Sequence, residues 1–206
     1  MDALLVTDVQ NDFCPGGALA IPDGDRVVPV INRLTELFEV VLHTQDWHPA
    51  GHHSFASSHK DKEPFDVIPL DYGDQVLWPD HCVQGTDGAA FHPELNITRS
   101  QLVLRKGFRK EIDSYSAFFE NDQKTVTGLG GYLRNRGIKT LYVTGLAADF
   151  CVKWTVLDAM KEGFHVNIVE DAVRGIDLDG SLKQAWKEML GAGARKISSD
   201  TLLHHK

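Results

Sequence analysis

One stretch of the sequence decides the fold: Thr140-Leu141-Tyr142-Val143-Thr144-Gly145-Leu146-Ala147-Ala148-Asp149-Phe150-Cys151-Val152. Its apolar beginning, Thr140 to Val143, predicts a buried strand that ends in a turn of small residues, and Cys151 opens an amphipathic helix. A cysteine in the first turn of a helix faces unpaired backbone N–H groups and the positive end of the helix dipole, and both favour the thiolate. The stretch therefore predicts a strand–turn–helix unit that carries an activated thiol.

Strands and helices alternate along the rest of the chain. Apolar runs predict strands at 3–9, 40–44, 102–105, 140–144, 166–169 and 195–197, and three- and four-residue spacings of apolar residues predict helices at 25–38, 127–136, 150–161 and 178–190. Such alternation is typical of α/β proteins whose parallel sheet is covered on both faces. We therefore predict a three-layer α/β/α fold with a central, mainly parallel sheet of about six strands.

Two charged residues stand at the ends of other predicted strands. Asp8 closes the first apolar run, and Lys106 closes the run that begins at Leu102. Because ligands of such sheets bind at the carboxyl ends of the strands, we expect Asp8, Lys106 and Cys151 to share one site. Each of the three taken singly has a plain structural explanation, but a carboxylate, an ammonium and a thiol together make a nucleophilic site.

The segment from about residue 46 to 100 is too long to be a plain connection. Its Trp, His, Phe and Pro content disfavours disorder, so we expect an insertion that forms a lid or pocket wall. Asp46 and His48 are two residues apart and can point to the same side of an extended segment. A carboxylate and several imidazoles are ligands that zinc, iron and manganese all accept.

Composition limits the classes of function. The chain has 206 residues, 42% of them hydrophobic and 24% charged, which predicts a single domain over 1–206. The net charge of -8 argues against a nucleic-acid partner, and no apolar run approaches the length of a membrane span. Three cysteines do not form a disulfide framework. We therefore predict a cytoplasmic protein that binds a small molecule and has no nucleic-acid or membrane partner.

Six segments resemble one known family, the nicotinamidases (also called pyrazinamidases) of the isochorismatase-like cysteine hydrolases. They occur in the family's order over nearly the whole chain: Asp8-Val9-Gln10-Asn11-Asp12-Phe13, Asp46-Trp47-His48, Trp78-Pro79-Asp80-His81-Cys82, Arg105-Lys106-Gly107, Asp113-Ser114-Tyr115-Ser116-Ala117-Phe118 and Gly145 to Val152. The resemblance implies the isochorismatase-like hydrolase fold.

The resemblance also implies a role for each site residue. It implies a catalytic triad of Asp8, Lys106 and Cys151, and an oxyanion hole made by the backbone N–H groups of Ala147 and Cys151 after a cis Leu146-Ala147 peptide. It further implies metal ligands Asp46, His48 and His81, and a substrate site at Phe13, Trp78, Leu146 and Ala147 in which the two aromatic residues enclose a pyridine ring.

The reaction that the resemblance implies is hydrolysis of nicotinamide to nicotinate and ammonia, and of pyrazinamide to pyrazinoate, through a cysteine thioester in NAD salvage. One divalent metal ion is implied, with zinc favoured over iron and manganese. His52 matches a position that supplies a further ligand in some relatives, but the adjacent His53 leaves that assignment open. Phe150 departs from the His or Tyr common at its position, and Ala148 from a common Thr. A homo-oligomer is also left open.

Two other functions remain as alternatives. One is a different cysteine amidase or an isochorismatase-type hydrolase of the same superfamily, although such relatives characteristically lack the Asp-x-His and Trp-Pro-x-His ligands. The other is a non-catalytic module that binds a metal or a pyridine on the same fold. A preserved Asp8, Lys106 and Cys151 argues against the second alternative, because a binding module has no use for an activated thiol.

Overall fold

A computed structural model describes residues 1–204. Its strands are β1 (Asp2–Thr7), β2 (Val40–Asp46), β3 (Val67–Leu70), β4 (Gly73–Val76), β5 (Ser100–Lys106), β6 (Thr140–Leu146), β7 (His165–Arg174) and β8 (Arg195–Ile197). Its α-helices are α1 (Val27–Thr35), α2 (Leu129–Asn135), α3 (Cys151–Lys161), α4 (Ser181–Gly191) and α5 (Ser199–Leu203).

Six of the strands form one parallel sheet in the order β5-β2-β1-β6-β7-β8. From β1 the chain first builds outward through β2 to β5, and it then crosses to the other side of β1 to build β6, β7 and β8. The order of the strands thus reverses between β1 and β6, and a ligand crevice forms at the carboxyl ends of strands at such a point. The predicted six-stranded parallel sheet is confirmed.

Helices cover both faces of this sheet. On one face α2, α3 and α4 pack through Leu129, Leu133, Val152, Val156, Ala159, Ala185 and Met189. On the other face α1 packs through Val27, Val28, Ile31 and Leu34. Strand β1 lies between the two layers and is buried from Ala3 to Thr7, which explains its continuous apolar sequence. The three-layer α/β/α prediction is confirmed.

The element boundaries differ from the predictions in a few places. Helix α1 begins at Val27 because residues 24–26 form a separate 3-10 turn. Helix α4 begins at Ser181 because Asp179 has a positive φ of 50°, which a continuous α-helix does not allow. The antiparallel β3–β4 hairpin and helix α5 were not predicted, since both are too short to show periodicity.

Among the helices of residues 1–204, none combines the length and the apolar character that crossing a lipid bilayer requires. The single domain and the cytoplasmic location stay predictions.

Gly145 allows strands β1 and β6 to approach closely beside the crevice. It has a φ of +103°, and a Cβ added there would lie 2.0 Å from the carbonyl oxygen of Thr7. We expect Gly145→Ala to lower the free energy of unfolding by about 3 kcal/mol or more, because both the backbone conformation and the contact would be strained. Chemical denaturation measures this loss.

Gly131→Ala is the matched control for that experiment. Gly131 lies in α2 with no atom within 4 Å of an added Cβ. Alanine there should raise stability by roughly 0.5 to 1 kcal/mol, because it stiffens the unfolded chain and favours the helix. Equal losses in both variants would contradict the role of the close approach at Gly145.

His43 is a buried histidine in β2 whose charge should make stability depend on pH. Neither of its ring nitrogens has a hydrogen-bond partner within residues 1–204, and its ring meets Phe91 edge-on at 5.7 Å between centroids. Burial lowers the pKa of His43 from 6.5 to about 4. Between these values the unfolded chain binds a proton that the folded protein does not, so stability falls as the pH falls.

His43 should therefore lower the free energy of unfolding by about 2 kcal/mol between pH 7 and pH 5. Replacement by an apolar residue, His43→Leu, should remove that part of the decline, because the variant has no imidazole to protonate. Urea unfolding at the two pH values measures the difference. The same decline in parent and variant would show that other groups cause it.

Candidate active site

Three predicted residues meet at the carboxyl ends of β1, β5 and β6. The Nζ atom of Lys106 lies 2.8 Å from Oδ2 of Asp8 and 3.5 Å from Sγ of Cys151. Thr44 donates a hydrogen bond of 2.6 Å to the other carboxylate oxygen of Asp8. All of these side chains are buried. The structure thus brings together the carboxylate, the ammonium and the thiol that the sequence analysis grouped.

Lys106 is held between two carboxylates. Asp46 pairs with Lys106 in the β2–β5 register, so the two side chains leave the same face of the sheet, and Lys106 donates a hydrogen bond to Asp46 Oδ1. A third contact is a hydrogen bond of 2.9 Å to the carbonyl oxygen of Ser114. Burial alone would lower the pKa of Lys106, but Asp46 and Asp8 together raise it well above its usual range. The ammonium is therefore charged at neutral pH.

Burial opposes the thiolate that the start of α3 is expected to favour at Cys151. Burial raises the pKa of Cys151 well above its usual range, and the nearby Lys106 ammonium only opposes this effect. Burial likewise raises the pKa of Asp8 above its ordinary value. Asp8 Oδ2 lies 2.8 Å from the ammonium group of Lys106, and the Asp8 carboxylate is also a hydrogen-bond partner of the Cys151 thiol. Each carboxylate oxygen has two lone pairs, so Asp8 can accept the thiol proton while it keeps its contact with Lys106.

The insertion brings His48 and His81 together through its backbone. The N–H group of His48 donates to the carbonyl oxygen of Cys82, and the N–H group of Gln84 donates to the carbonyl oxygen of His48. These bonds place His81, which precedes Cys82, beside His48 and Asp46. The two Nε2 atoms lie 3.8 Å and 3.9 Å from Oδ2 of Asp46.

Both imidazoles are arranged to offer Nε2 to a cation. Nδ1 of His48 lies 2.9 Å from the carbonyl oxygen of Gly107, and Nδ1 of His81 lies 2.8 Å from that of Pro79. A carbonyl only accepts hydrogen bonds, so Nδ1 carries the hydrogen and the lone pair is on Nε2. Burial lowers the pKa of each imidazole to about 4, which keeps both neutral at neutral pH. With the carboxylate of Asp46, this donor set fits a divalent metal ion.

His52 and His53 occupy different environments. The ring of His52 lies beside that of His48, tilted by 42° at 4.4 Å between centroids, but both of its nitrogens are engaged within the protein. Nδ1 accepts a hydrogen bond from the N–H group of Ser54, and Nε2 lies 2.8 Å from the carbonyl oxygen of Arg109. His53 faces a separate surface groove. Neither ring offers a free lone pair to the Asp46, His48 and His81 cluster in this arrangement.

Cys151 of the first group and Asp46, His48 and His81 of the second line one narrow cavity of about 20 Å³. A cavity of that volume has room for about one water molecule. Its lining consists of Phe13, Leu19, Asp46, His48, Trp78, His81, Asp113, Tyr115, Ala147, Phe150, Cys151 and Ile176. The predicted aromatic residues Phe13 and Trp78 therefore both face the cavity, beside the thiol and the imidazoles. Leu146 is buried behind this wall.

The turn before α3 presents two backbone N–H groups. The peptide bond between Leu146 and Ala147 is cis. The N–H groups of Ala148, Phe150 and Val152 donate to backbone carbonyls, whereas those of Ala147 and Cys151 have no backbone acceptor within residues 1–204. Both residues line the cavity, so these two donors are available to an oxygen bound beside Sγ.

Five residues of the cavity wall were not predicted as site residues: Leu19, Asp113, Tyr115, Phe150 and Ile176. Asp113 and Tyr115 lie in one of the segments that carry the family resemblance, and that was the available signal. The hydroxyl oxygen of Tyr115 accepts hydrogen bonds from Trp78 Nε1 at 3.1 Å and Gln75 Nε2 at 2.9 Å. Leu19 and Ile176 come from loops whose sequence gives no comparable signal.

Comparison with known proteins identifies the family of this chain. A family model described as the isochorismatase domain matches residues 2–201. The chain belongs to the isochorismatase family. Within it, the chain is 55% identical to the nicotinamidase of Acinetobacter baylyi over 201 residues, which cover 98% of this chain and 94% of the relative.

Solved structures of the isochorismatase family are similar to the whole chain. The Acinetobacter baumanii nicotinamidase/pyrazinamidase superposes with a TM-score of 0.97 at 59% identity and covers 98% of this chain and 97% of its own. PnC1 from L. infantum, in complex with nicotinate, has a TM-score of 0.85 at 37% identity and covers 97% and 93%. The pyrazinamidase of Pyrococcus horikoshii, in complex with zinc, has a TM-score of 0.77 at 33% identity and covers 96% and 98%.

The contacts of the neighbouring residues His48 and His52 predict different effects on metal binding. We expect His48→Ala to weaken zinc binding by at least about 100-fold, because it removes a lone pair of the donor cluster. We expect His52→Ala to change zinc affinity by less than about tenfold, since both nitrogens of His52 already have partners in the protein. Competition with a colorimetric zinc chelator measures both affinities. Equal losses would mean that His52 is itself a ligand.

Proposed function

We propose that this protein hydrolyses nicotinamide to nicotinate and ammonia, and pyrazinamide to pyrazinoate, through a thioester on Cys151. The observation that carries the proposal is that Asp8 and Lys106 contact Cys151, which lines one cavity with Asp46, His48 and His81. The similarity to nicotinamidases over nearly the full chain supports the choice of substrate. The nicotinate that the reaction forms is then used in NAD salvage.

The first half of the reaction forms the thioester. Asp8 takes the proton from Sγ of Cys151, and the sulfur attacks the carboxamide carbon. Lys106 keeps its own proton. Its positive charge stabilises the negative charge that the proton transfer moves from Asp8 to the sulfur of Cys151. The carbonyl oxygen becomes an oxyanion that accepts hydrogen bonds from the N–H groups of Ala147 and Cys151. When the intermediate collapses, the C–N bond breaks and Asp8 gives its proton to the leaving nitrogen, which departs as ammonia.

The second half of the reaction releases the acid. Asp8, again a carboxylate, takes a proton from a water molecule whose oxygen attacks the thioester carbon. The same two N–H groups hold the second oxyanion. Collapse breaks the C–S bond, and Asp8 returns its proton to the sulfur of Cys151. The product leaves as nicotinic acid, which ionises to nicotinate by giving its remaining proton to the released ammonia or to solvent, and the residues regain their starting protonation.

The opposite end of the cavity orients the ring. Phe13 and Trp78 enclose a flat heteroaromatic ring, whose faces favour contact with other aromatic rings. Asp46, His48 and His81 would hold a divalent ion, which supplies an open coordination position for the lone pair of the pyridine nitrogen. Zinc is the ion we propose, because it suits a set of two imidazoles and one carboxylate and because a similar pyrazinamidase is known in complex with zinc.

Ammonia release from nicotinamide tests the proposal. We expect turnover by the zinc-loaded parent, and a decrease of at least about 10⁴-fold in Cys151→Ala, because no other group can form the thioester. Nicotinamide affinity, measured by calorimetry, should stay within about threefold in that variant, since the ring contacts remain. Cys14→Ala is the control, because Cys14 is a buried cysteine that does not line the cavity.

Three outcomes would contradict the proposal. A zinc-loaded parent that releases no ammonia would move the assignment to another amide or to a non-catalytic binding module. Full activity in Cys151→Ala would exclude the thioester. Turnover that persists after the metal has been removed by a chelator would exclude the proposed anchoring of the ring.

A further inference from the structure

The side chain of Gln10 is buried, and its amide group makes hydrogen bonds to both the C=O and the N–H group of Asp46. Its Nε2 donates to the carbonyl oxygen of Asp46 at 2.8 Å, and its Oε1 accepts from the N–H group of Asp46 at 2.8 Å. Nε2 also donates to the carbonyl oxygen of Ala89 at 2.9 Å. Both the nitrogen and the oxygen of the Gln10 amide therefore have hydrogen-bond partners.

The contact between Gln10 and Asp46 lies beyond the end of β1, where β2 has no neighbouring strand on that side. The pairing of β1 with β2 ends at Val6 and His43, whereas β2 continues to Asp46 and remains paired with Lys106 of β5 on its other side. The N–H and C=O groups of a strand residue point to the same side, so those of Asp46 would face an empty position beyond the end of β1. Gln10 fills that position in place of a strand.

We propose that Gln10 is a positioning residue for Asp46 and that it sets the affinity of the metal site. Two hydrogen bonds to one residue fix its backbone, and Asp46 has only a short side chain between that backbone and its carboxylate. The fixed backbone keeps one carboxylate oxygen on Lys106 and directs the other to the Nε2 atoms of His48 and His81. This inference rests on the metal site of the proposed function.

Gln45 supplies a matched comparison within the same structure. It is also a buried glutamine, and its Nε2 donates to the same carbonyl oxygen of Ala89 at 2.9 Å. Its Oε1 accepts from Nε of Arg105 at 3.1 Å and does not contact the peptide groups of Asp46. Methionine has nearly the length of glutamine, so Gln10→Met and Gln45→Met both lose the bond to Ala89. Only Gln10→Met loses the contacts to Asp46.

The experiment measures zinc affinity by competition with a chelator, without any substrate. Loss of a group that orients a metal ligand typically weakens metal affinity by 10- to 100-fold, and we expect a loss of about that size in Gln10→Met. Gln45→Met should change the affinity by less than about threefold. Thermal unfolding in the presence of the chelator shows whether each apo variant is folded, so that a merely structural loss is recognised.

Gln10→Glu gives a second test if Gln10→Met does not fold. A glutamate keeps an acceptor for the N–H group of Asp46 but turns an oxygen toward two carbonyls, so its zinc affinity should fall by a similar factor. Parent affinity in a folded Gln10 variant would overturn the inference. Equal losses in the Gln10 and Gln45 variants would overturn it too, because the shared bond to Ala89 would then explain them.

This measurement is independent of the proposed reaction. A parent that binds zinc but releases no ammonia would refute the proposed function and leave the role of Gln10 intact. A parent that binds no zinc at all would overturn the role of Gln10 directly.

Discussion

The buried ammonium group of Lys106 is the constraint on which the site depends. A charge removed from water costs several kcal/mol unless opposite charges and hydrogen bonds accompany it. Asp8 and Asp46 supply those charges, and the carbonyl oxygen of Ser114 supplies a further bond. The three charged residues come from the ends of β1, β2 and β5, which are neighbours in the sheet. The order of the strands therefore places two carboxylates where they offset the cost of burying Lys106. Lys106 in turn holds these carboxylates beside the thiol.

Asp46 links the nucleophilic end of the cavity to the end that holds the imidazoles. One of its oxygens faces Lys106, and the other lies 3.8 Å from Nε2 of His48. In the proposed function, the anchor for a ring nitrogen and the sulfur that attacks the carboxamide are thus separated by one side chain. Such an arrangement would favour substrates in which a ring nitrogen and a carboxamide are a fixed distance apart, because only these can occupy both positions at once. The proposed selectivity for pyridine carboxamides then follows from the spacing as much as from the contacts.

Two kinds of feature could be predicted from the sequence. One is an element with a regular pattern of apolar residues, and the other is a reactive side chain that directly follows a predicted strand. Long buried strands show apolar runs, and Asp8, Lys106 and Cys151 were predicted to meet because each follows such a run. The walls of the cavity were predicted less completely, because Leu19 and Ile176 lie in irregular loops where no periodicity indicates which way a side chain points. The effect of burial on the thiol could not be predicted for a related reason. A helix start favours the thiolate, but the opposing effect of burial depends on everything packed around Sγ, which the local sequence does not contain.

The charges buried around Lys106 favour a divalent cation at the Asp46, His48 and His81 cluster and a proton on the thiol. Asp8, Asp46 and Asp113 are three buried carboxylates, and Lys106 is the one buried lysine or arginine within residues 1–204. With the imidazoles neutral, these four groups carry a net charge of -2 when all the carboxylates are ionised, and a thiolate would add a further negative charge. Burial makes that state costly and raises the pKa of Cys151. A divalent cation would balance the carboxylates, and the thiol proton could then move to Asp8 without changing the total charge of the site. A proton transfer inside a neutral cluster avoids the desolvation cost that separate ions would incur.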